Sequence, residues 1–154
     1  MASPRPKGRD VGKGGRDVSK MVVGMASGSF EKLIVASTVI GGAVALDTEV
    51  DVYLLLGGAR AFRKDVAGTD RMVYDYPQLR AEMEAGLRSN QIPDPYTMLR
   101  KLKADGDVHI HVCATAGKIW NAPELRDFVD LVDDIVGVGE YVIKSGEADS
   151  VQVL

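Results

Sequence analysis

The chain has 154 residues, 45% of them hydrophobic and 27% charged, with a formal net charge of −3. That composition suits one globular domain whose core is large enough to need no disulfide staples. The charge is uneven: residues 1–20 carry six basic and two acidic side chains, a net +4, while the remainder carries 13 basic and 20 acidic, a net −7, an acidic body that argues against a nucleic-acid-binding face. A lone cysteine, Cys113, excludes an intrachain disulfide framework and favours a reducing, cytoplasmic setting. No apolar run reaches the ~20 residues of a membrane span, so no stable membrane insertion is expected.

Residues 1–19 are basic and rich in Gly and Pro, without an apolar cluster, and are expected to form a disordered tail. The tail lacks the basic-then-apolar order of a secretory signal. Gly12–Gly15 follows no strand and lacks the Gly-Lys-Ser/Thr ending of a phosphate loop. The domain proper is expected over residues 20–154. Lys20–Ala26 reads as a buried strand, Ser27-Gly28-Ser29 as a turn able to cap a helix, and Phe30–Leu46 as that helix. Glu49–Leu56, β-branched and aromatic and then purely apolar, reads as a central parallel strand ended by Gly57-Gly58, with a helix from Ala59 to Lys64.

Asp65–Pro77 reads as a loop and Gln78–Arg88 as a helix with Leu79, Met83 and Leu87 on one side. Asp94 is placed to cap a helix that has Pro95 in its first turn, runs to Lys103 and is closed by Gly106. Residues 65–95 are a candidate lid. Asp107–Cys113 is a third strand. Pro123–Asp134 reads as a helix whose solvated side carries Asp127, Asp130, Asp133 and Asp134. Gly137–Lys144 is a last helix and Ser150–Leu154 a last strand. The alternation gives an α/β fold, a three-layer α/β/α domain on a mostly parallel sheet of about four to five strands.

Ligand sites in such sheets collect at the carboxyl ends of the strands. Three segments meet there: Ser27-Gly28-Ser29, Gly57-Gly58, and the run Cys113-Ala114-Thr115-Ala116-Gly117-Lys118. If a helical turn starts after Cys113, its free N–H groups and Lys118 favour a thiolate or another anionic sulfur; the competing reading is a buried cysteine acting as a small hydrophobe. His109 and His111 share the strand face of Cys113, with same-face neighbours roughly 6.5–7 Å apart. His111 is thus a candidate to orient or deprotonate the thiol, against a plain role in covering the sheet. His-x-His-x-Cys lacks a fourth ligand, so no metal or other cofactor is assigned. Tyr74, Tyr76 and Tyr96 with Arg71, Arg80 and Arg100 either frame an anionic ligand or are rim residues. Trp120 walls the site or simply packs.

Four segments, in this order, resemble the DsrE/DsrF-like family and its larger, peroxiredoxin-like branch. They are Met21-Val-Val-Gly-Met-Ala-Ser-Gly-Ser-Phe30, the helix Leu33–Leu46 running into Glu49-Val-Asp-Val-Tyr-Leu-Leu-Leu-Gly-Gly58, Leu99–Gly106 leading to His109-Ile-His-Val-Cys113, and Val138–Asp149 before the final strand. The resemblance covers about residues 20–154. It implies a three-layer α/β/α domain, homo-oligomers (trimer or hexamer), and sulfur relay, in which the strand-terminal cysteine, here Cys113, holds sulfur as a persulfide and passes it to a partner. Where the larger branch follows the cysteine with a Ser-Met-rich stretch, this chain has Ala114-Thr-Ala-Gly-Lys-Ile-Trp120, and the second cysteine of some relatives is missing.

The expected function is therefore a sulfur carrier or sulfurtransferase-like protein, with catalytic Cys113 and His111. Ser27, Gly28, Gly57, Gly58, Ala114, Thr115 and Lys118 line or polarise the site, and the partners are sulfur donors and acceptors. Two alternatives stand beside it: a non-enzymatic oligomeric binding module in which Cys113 only packs, and a nucleotide- or phosphate-binding protein that uses Ser27-Gly28-Ser29.

Overall fold

In the computed structural model, which describes residues 17–69 and 72–154, the first strand β1 spans Lys20–Met25 and ends where the sequence turns from Val and Met to Ala, Ser and Gly. The expectations for residues 1–16, Asp70 and Arg71 lie outside the described residues. Ser29 caps helix α1 (Phe30–Ala45), its hydroxyl accepting from the Lys32 N–H at 3.3 Å. Phe30, Leu33, Ala36, Ile40 and Ala43 recur at three- and four-residue steps, and all are buried.

Strand β2 (Glu49–Leu54) pairs in parallel with β1, Val50 opposite Met21 and Leu54 opposite Met25. It ends two residues before the expected Leu56. Helix α2 occupies Leu56–Ala61, so Gly57 and Gly58 lie inside its first turn and do not form a loop. The reason is space: a Cβ on Gly58 would lie 2.4 Å from the Met25 carbonyl oxygen, so only glycines let α2 start against the end of β1.

A short 3-10 turn (Pro77–Leu79) leads into α3 (Arg80–Ser89), which buries none of its residues. Helix α4 (Pro95–Asp105) starts as expected, with the Asp94 carboxylate accepting from the Tyr96 and Thr97 N–H groups at 3.0 and 3.1 Å. It packs on α1, where Ser37, fully buried, donates to the Leu33 carbonyl in its own helix and to the Pro95 carbonyl of α4. Strand β3 (Val108–Cys113) pairs with β2, and helix α5 (Ala114–Ile119) follows without a break.

The helix expected over Pro123–Asp134 is absent. The chain makes one 3-10 turn (Leu125–Asp127), a loop, and a three-residue strand β4 (Asp134–Val136) beside β3. Phe128, Leu131 and Val132 are buried, yet they anchor a loop: the Val129 N–H donates to the Phe62 carbonyl and the Asp133 N–H to the Ile110 carbonyl. Two of the acids bond backbone donors instead, Asp127 accepting from the Glu124 N–H within the 3-10 turn and Asp133 from the Ile110 N–H of β3.

Helix α6 (Val138–Glu147) crosses to the far edge, where β5 (Ser150–Val153) pairs with β1. The sheet is wholly parallel in the order β4-β3-β2-β1-β5. Helices α1 and α4 cover one face, and α6 lies on the other, giving three layers. Among the described residues no helix is long and apolar enough to cross a membrane.

Candidate functional site at the carboxyl edge of the sheet

The Ser27-Gly28 turn after β1 meets the start of α2, as expected of segments that share the carboxyl edge of a parallel sheet. The Gly57 N–H donates to the Ala26 carbonyl at 2.8 Å, and a Cβ on Gly28 would sit 2.1 Å from the Gly57 carbonyl oxygen. Beside this contact is a cavity of about 350 Å³ lined by Ser27, Gly28, Gly57, Arg60, Met72 and Trp120, among others. The Trp120 indole N–H donates to the Leu56 carbonyl at 2.7 Å, and the Arg60 guanidinium lies 5.8 Å from the indole ring centre. Ser29, at the cavity wall, donates to Asp75 at 2.8 Å, while the Ser27 hydroxyl accepts from the Ser29 N–H. Of the sequence-predicted binding residues, Ser27, Gly28 and Gly57 come together here. Gly58 is buried against β1.

Cys113 is the last residue of β3 and the N-cap of α5. It is a free cysteine, 8% exposed, and belongs to the apolar cluster that includes Val112, Ala116 and Ala122. It is not among the residues lining the 350 Å³ cavity. Thr115 and Lys118 are exposed on α5, and Ala114 is half-buried. The described residues thus separate into the cavity and, apart from it, a buried thiol beneath a short helix.

His111 is not set up as a base for that thiol. Its Nε2 faces Asp51 Oδ1 at 3.0 Å and its Nδ1 faces Asp134 Oδ1 at 2.5 Å, so both ring nitrogens are engaged by carboxylates. Ionised carboxylates only accept hydrogen bonds, so this geometry calls for a doubly protonated ring. Burial works against charge on His111, but the bonds and charges of Asp51 and Asp134 outweigh it and raise the imidazole above its ordinary range. The His111 hydrogen bond holds Asp51 below the usual carboxylate range against the opposing effect of burial, with help from Lys144 at 3.6 Å. Tyr53 stacks on His111 with ring centres 4.8 Å apart and donates to Glu140 at 3.1 Å. Burial first, and then the Asp51 and Glu140 carboxylates, push its phenol well above the usual value. His109 bonds Asp107 at 2.7 Å and its ring lies 6.4 Å from that of His111.

Asp51 and Asp134 were not picked out by sequence reasoning. A signal for Asp51 was present: an acid inside Glu49-Val-Asp-Val-Tyr-Leu54 sits in a central strand, and a buried charge needs a partner. For Asp134 there was none, since it read as one of several acids on a solvated helix.

Of the tyrosine and arginine group, Tyr74, Tyr96, Arg80 and Arg100 line a second cavity of about 430 Å³, and Tyr76 is exposed. Arg80 lies over the Tyr74 ring at 5.0 Å and bonds Glu84 at 2.9 Å, and Arg100 bonds Asp130 at 2.9 Å. Among the described residues no group of three or more His, Cys, Asp or Glu side chains is placed to hold a metal ion.

No family model and no curated protein matches the sequence. Among solved structures the chain is similar to a protein of unknown function, MTH1491 from Methanobacterium thermoautotrophicum. The TM-score is 0.54 at 13% identity, over 88% of this chain and 99% of that one. At that identity the likeness concerns the fold alone.

Proposed function

We propose that the protein is a cytoplasmic sulfur carrier of the DsrE/DsrF-like type, with Cys113 as the sulfur-holding residue. The observation that carries the reading is the place of Cys113: the final residue of β3, at the carboxyl edge, turning directly into α5. In the forward step the Cys113 thiolate attacks the outer sulfur of a sulfane-sulfur donor, the donor's S–S bond breaks, and the donor leaves as its thiolate. In the second step an acceptor thiolate attacks the outer sulfur of the Cys113 persulfide and the Cys113 thiolate is restored. No net oxidation occurs. With 8% exposure, exchange runs through local opening of the cover over the sulfur. The role of His111 in this reading is to fix β3 between its neighbours, not to take the thiol proton.

The homo-oligomer that belongs to this reading is supported by α6 and β5. Val138, Val142 and Ile143 are 53%, 63% and 63% exposed, and Val153 on the edge strand is 64% exposed, an apolar surface suited to a second copy of the chain.

A second reading, a binding module with an unreactive Cys113, is favoured by the burial of the thiol and by the separate Arg60–Trp120 cavity. Intact-mass measurement of the native protein after incubation with a sulfane-sulfur donor distinguishes the two. Sulfur relay requires wild type to gain one sulfur atom per chain and Cys113→Ser to gain none. A wild-type protein that takes up no sulfur overturns it and leaves the binding module.

A further inference from the structure

We propose that the Asp51–His111–Asp134 bridge is a pH-operated clasp that holds the edge strand β4 on the sheet. Strand β4 has three residues, Asp134, Ile135 and Val136, paired with His111, Val112 and Cys113. So short an edge strand has little ladder of its own, and side-chain ties decide whether it stays. Consecutive aspartates make those ties on opposite faces of the sheet, as the two-residue period of a strand requires. Asp133 accepts from the Ile110 N–H at 2.7 Å and pairs with Lys103 of α4. Asp134 meets His111 on the face that carries α6.

Of the two ties, the one on the α6 face is made to an imidazole, a group that titrates. The groups facing His111 are Asp51 and Tyr53 from β2, Asp134 from β4, and His109 from β3. Helix α6 places Lys144 on Asp51 and Glu140 on Tyr53, with Tyr141 edge-on to Tyr53.

When the imidazolium loses a proton, one ring nitrogen keeps its hydrogen. The Asp51 side chain is 10% exposed, and leaving it without that donor is costly, so Nε2–H stays on Asp51. The bare Nδ1 lone pair then faces an oxygen of Asp134 at the 2.5 Å position, where two acceptors repel. The Asp134 side chain is 53% exposed and can turn to water. Strand β4 thereby loses its tie on the α6 face. If the sulfur-carrier reading holds, this opens the strand that lies against Cys113, but the clasp does not depend on that reading.

The test is hydrogen exchange followed by mass spectrometry at about pH 6 and about pH 8.5, corrected for the intrinsic pH dependence of amide exchange, on wild type and Asp134→Asn. The segment 129–137 in wild type should lose protection by about tenfold or more at the higher pH, the equivalent of one pKa unit. At both pH values 129–137 should be less protected than the β1 amides, because its opening is local. Asp134→Asn, whose amide can either donate or accept, should show no such pH dependence. Equal protection of 129–137 at both pH values in wild type overturns the clasp, as does a pH dependence of that segment retained in Asp134→Asn. No sulfur donor enters the experiment, so its failure leaves the sulfur-carrier reading standing, and failure of the sulfur-uptake test leaves the clasp standing.

Discussion

Gly28 and Gly57 meet backbone to backbone: a Cβ on Gly28 would lie 2.1 Å from the Gly57 carbonyl oxygen and 2.9 Å from the Ala61 side chain. Two connections, one from each of the central strands, therefore close on each other through residues without side chains. Gly28→Ala is expected to cost about 2–4 kcal/mol, because the obstacle is backbone and has to move. Gly42→Ala, in α1 with nothing within 4 Å of the added Cβ, should instead gain up to about 1 kcal/mol from helix propensity. Urea denaturation of both variants checks the pair. Equal stability of Gly28→Ala and wild type would remove the close contact from the account.

The polar cluster on the α6 face gives stability a pH dependence whose sign follows from its two members. His111 binds its proton more tightly in the fold, so its contribution is complete below the ordinary histidine value of about 6.5 and is lost as pH rises through the raised native value. Asp51 does the reverse: its contribution is complete above about 3.9 and is lost as pH falls through its lowered native value. The thermal midpoint should therefore be highest between about pH 4 and about pH 6.5 and fall on either side. A midpoint that climbs steadily from the middle of this window into the alkaline range contradicts the assignment. Asp51→Ala, which leaves a buried imidazolium facing an apolar gap, should cost about 3–5 kcal/mol, with Asp51→Asn costing less.

Tyr96 ties α4 to the end of α2. Its ring packs edge-on to Phe62 and its buried hydroxyl donates to the Ala61 carbonyl at 2.5 Å. Tyr96→Phe keeps the ring and removes the donor, and should cost about 1–2 kcal/mol in denaturant unfolding. A neutral result would mean that water reaches the Ala61 carbonyl in its place.

The apolar surface of α6 leads to a prediction about assembly. Val142→Glu combined with Ile143→Glu alters side chains that are each 63% exposed. The double variant should keep the fold and lower the mass seen by light scattering from that of a homo-oligomer to that of one chain. Wild type already at 16.5 kDa in solution would end the homo-oligomer reading.

Much of the fold was legible because its strongest signals are local. Strands β1, β2 and β3 are short apolar runs bounded by Gly, Ser or Asp, and Asp94-Pro95 marks the start of α4 by capping chemistry alone. The failures came where tertiary contacts overrode a pattern. Phe128, Leu131, Val132 and Ile135 stand at helical spacing, but Phe128 and Leu131 fill the core from a loop while Ile135 lies in a strand. Gly57-Gly58 resembled a strand terminator, yet the pair exists to let α2 press on β1. In the candidate site, the meeting of the Ser27-Gly28 and Gly57 turns followed from parallel topology. The pairing of His111 with two carboxylates on neighbouring strands depends on register, which no single segment encodes.

The claim on which the functional account rests is that Cys113 exchanges in the folded protein despite its 8% exposure. The direct measurement is the alkylation rate of native wild type by a small uncharged thiol reagent, set against the global unfolding rate under the same conditions. The account predicts modification well faster than global unfolding, with a rate that rises with reagent concentration. Modification only as fast as the whole molecule unfolds would contradict it and leave Cys113 as a core residue.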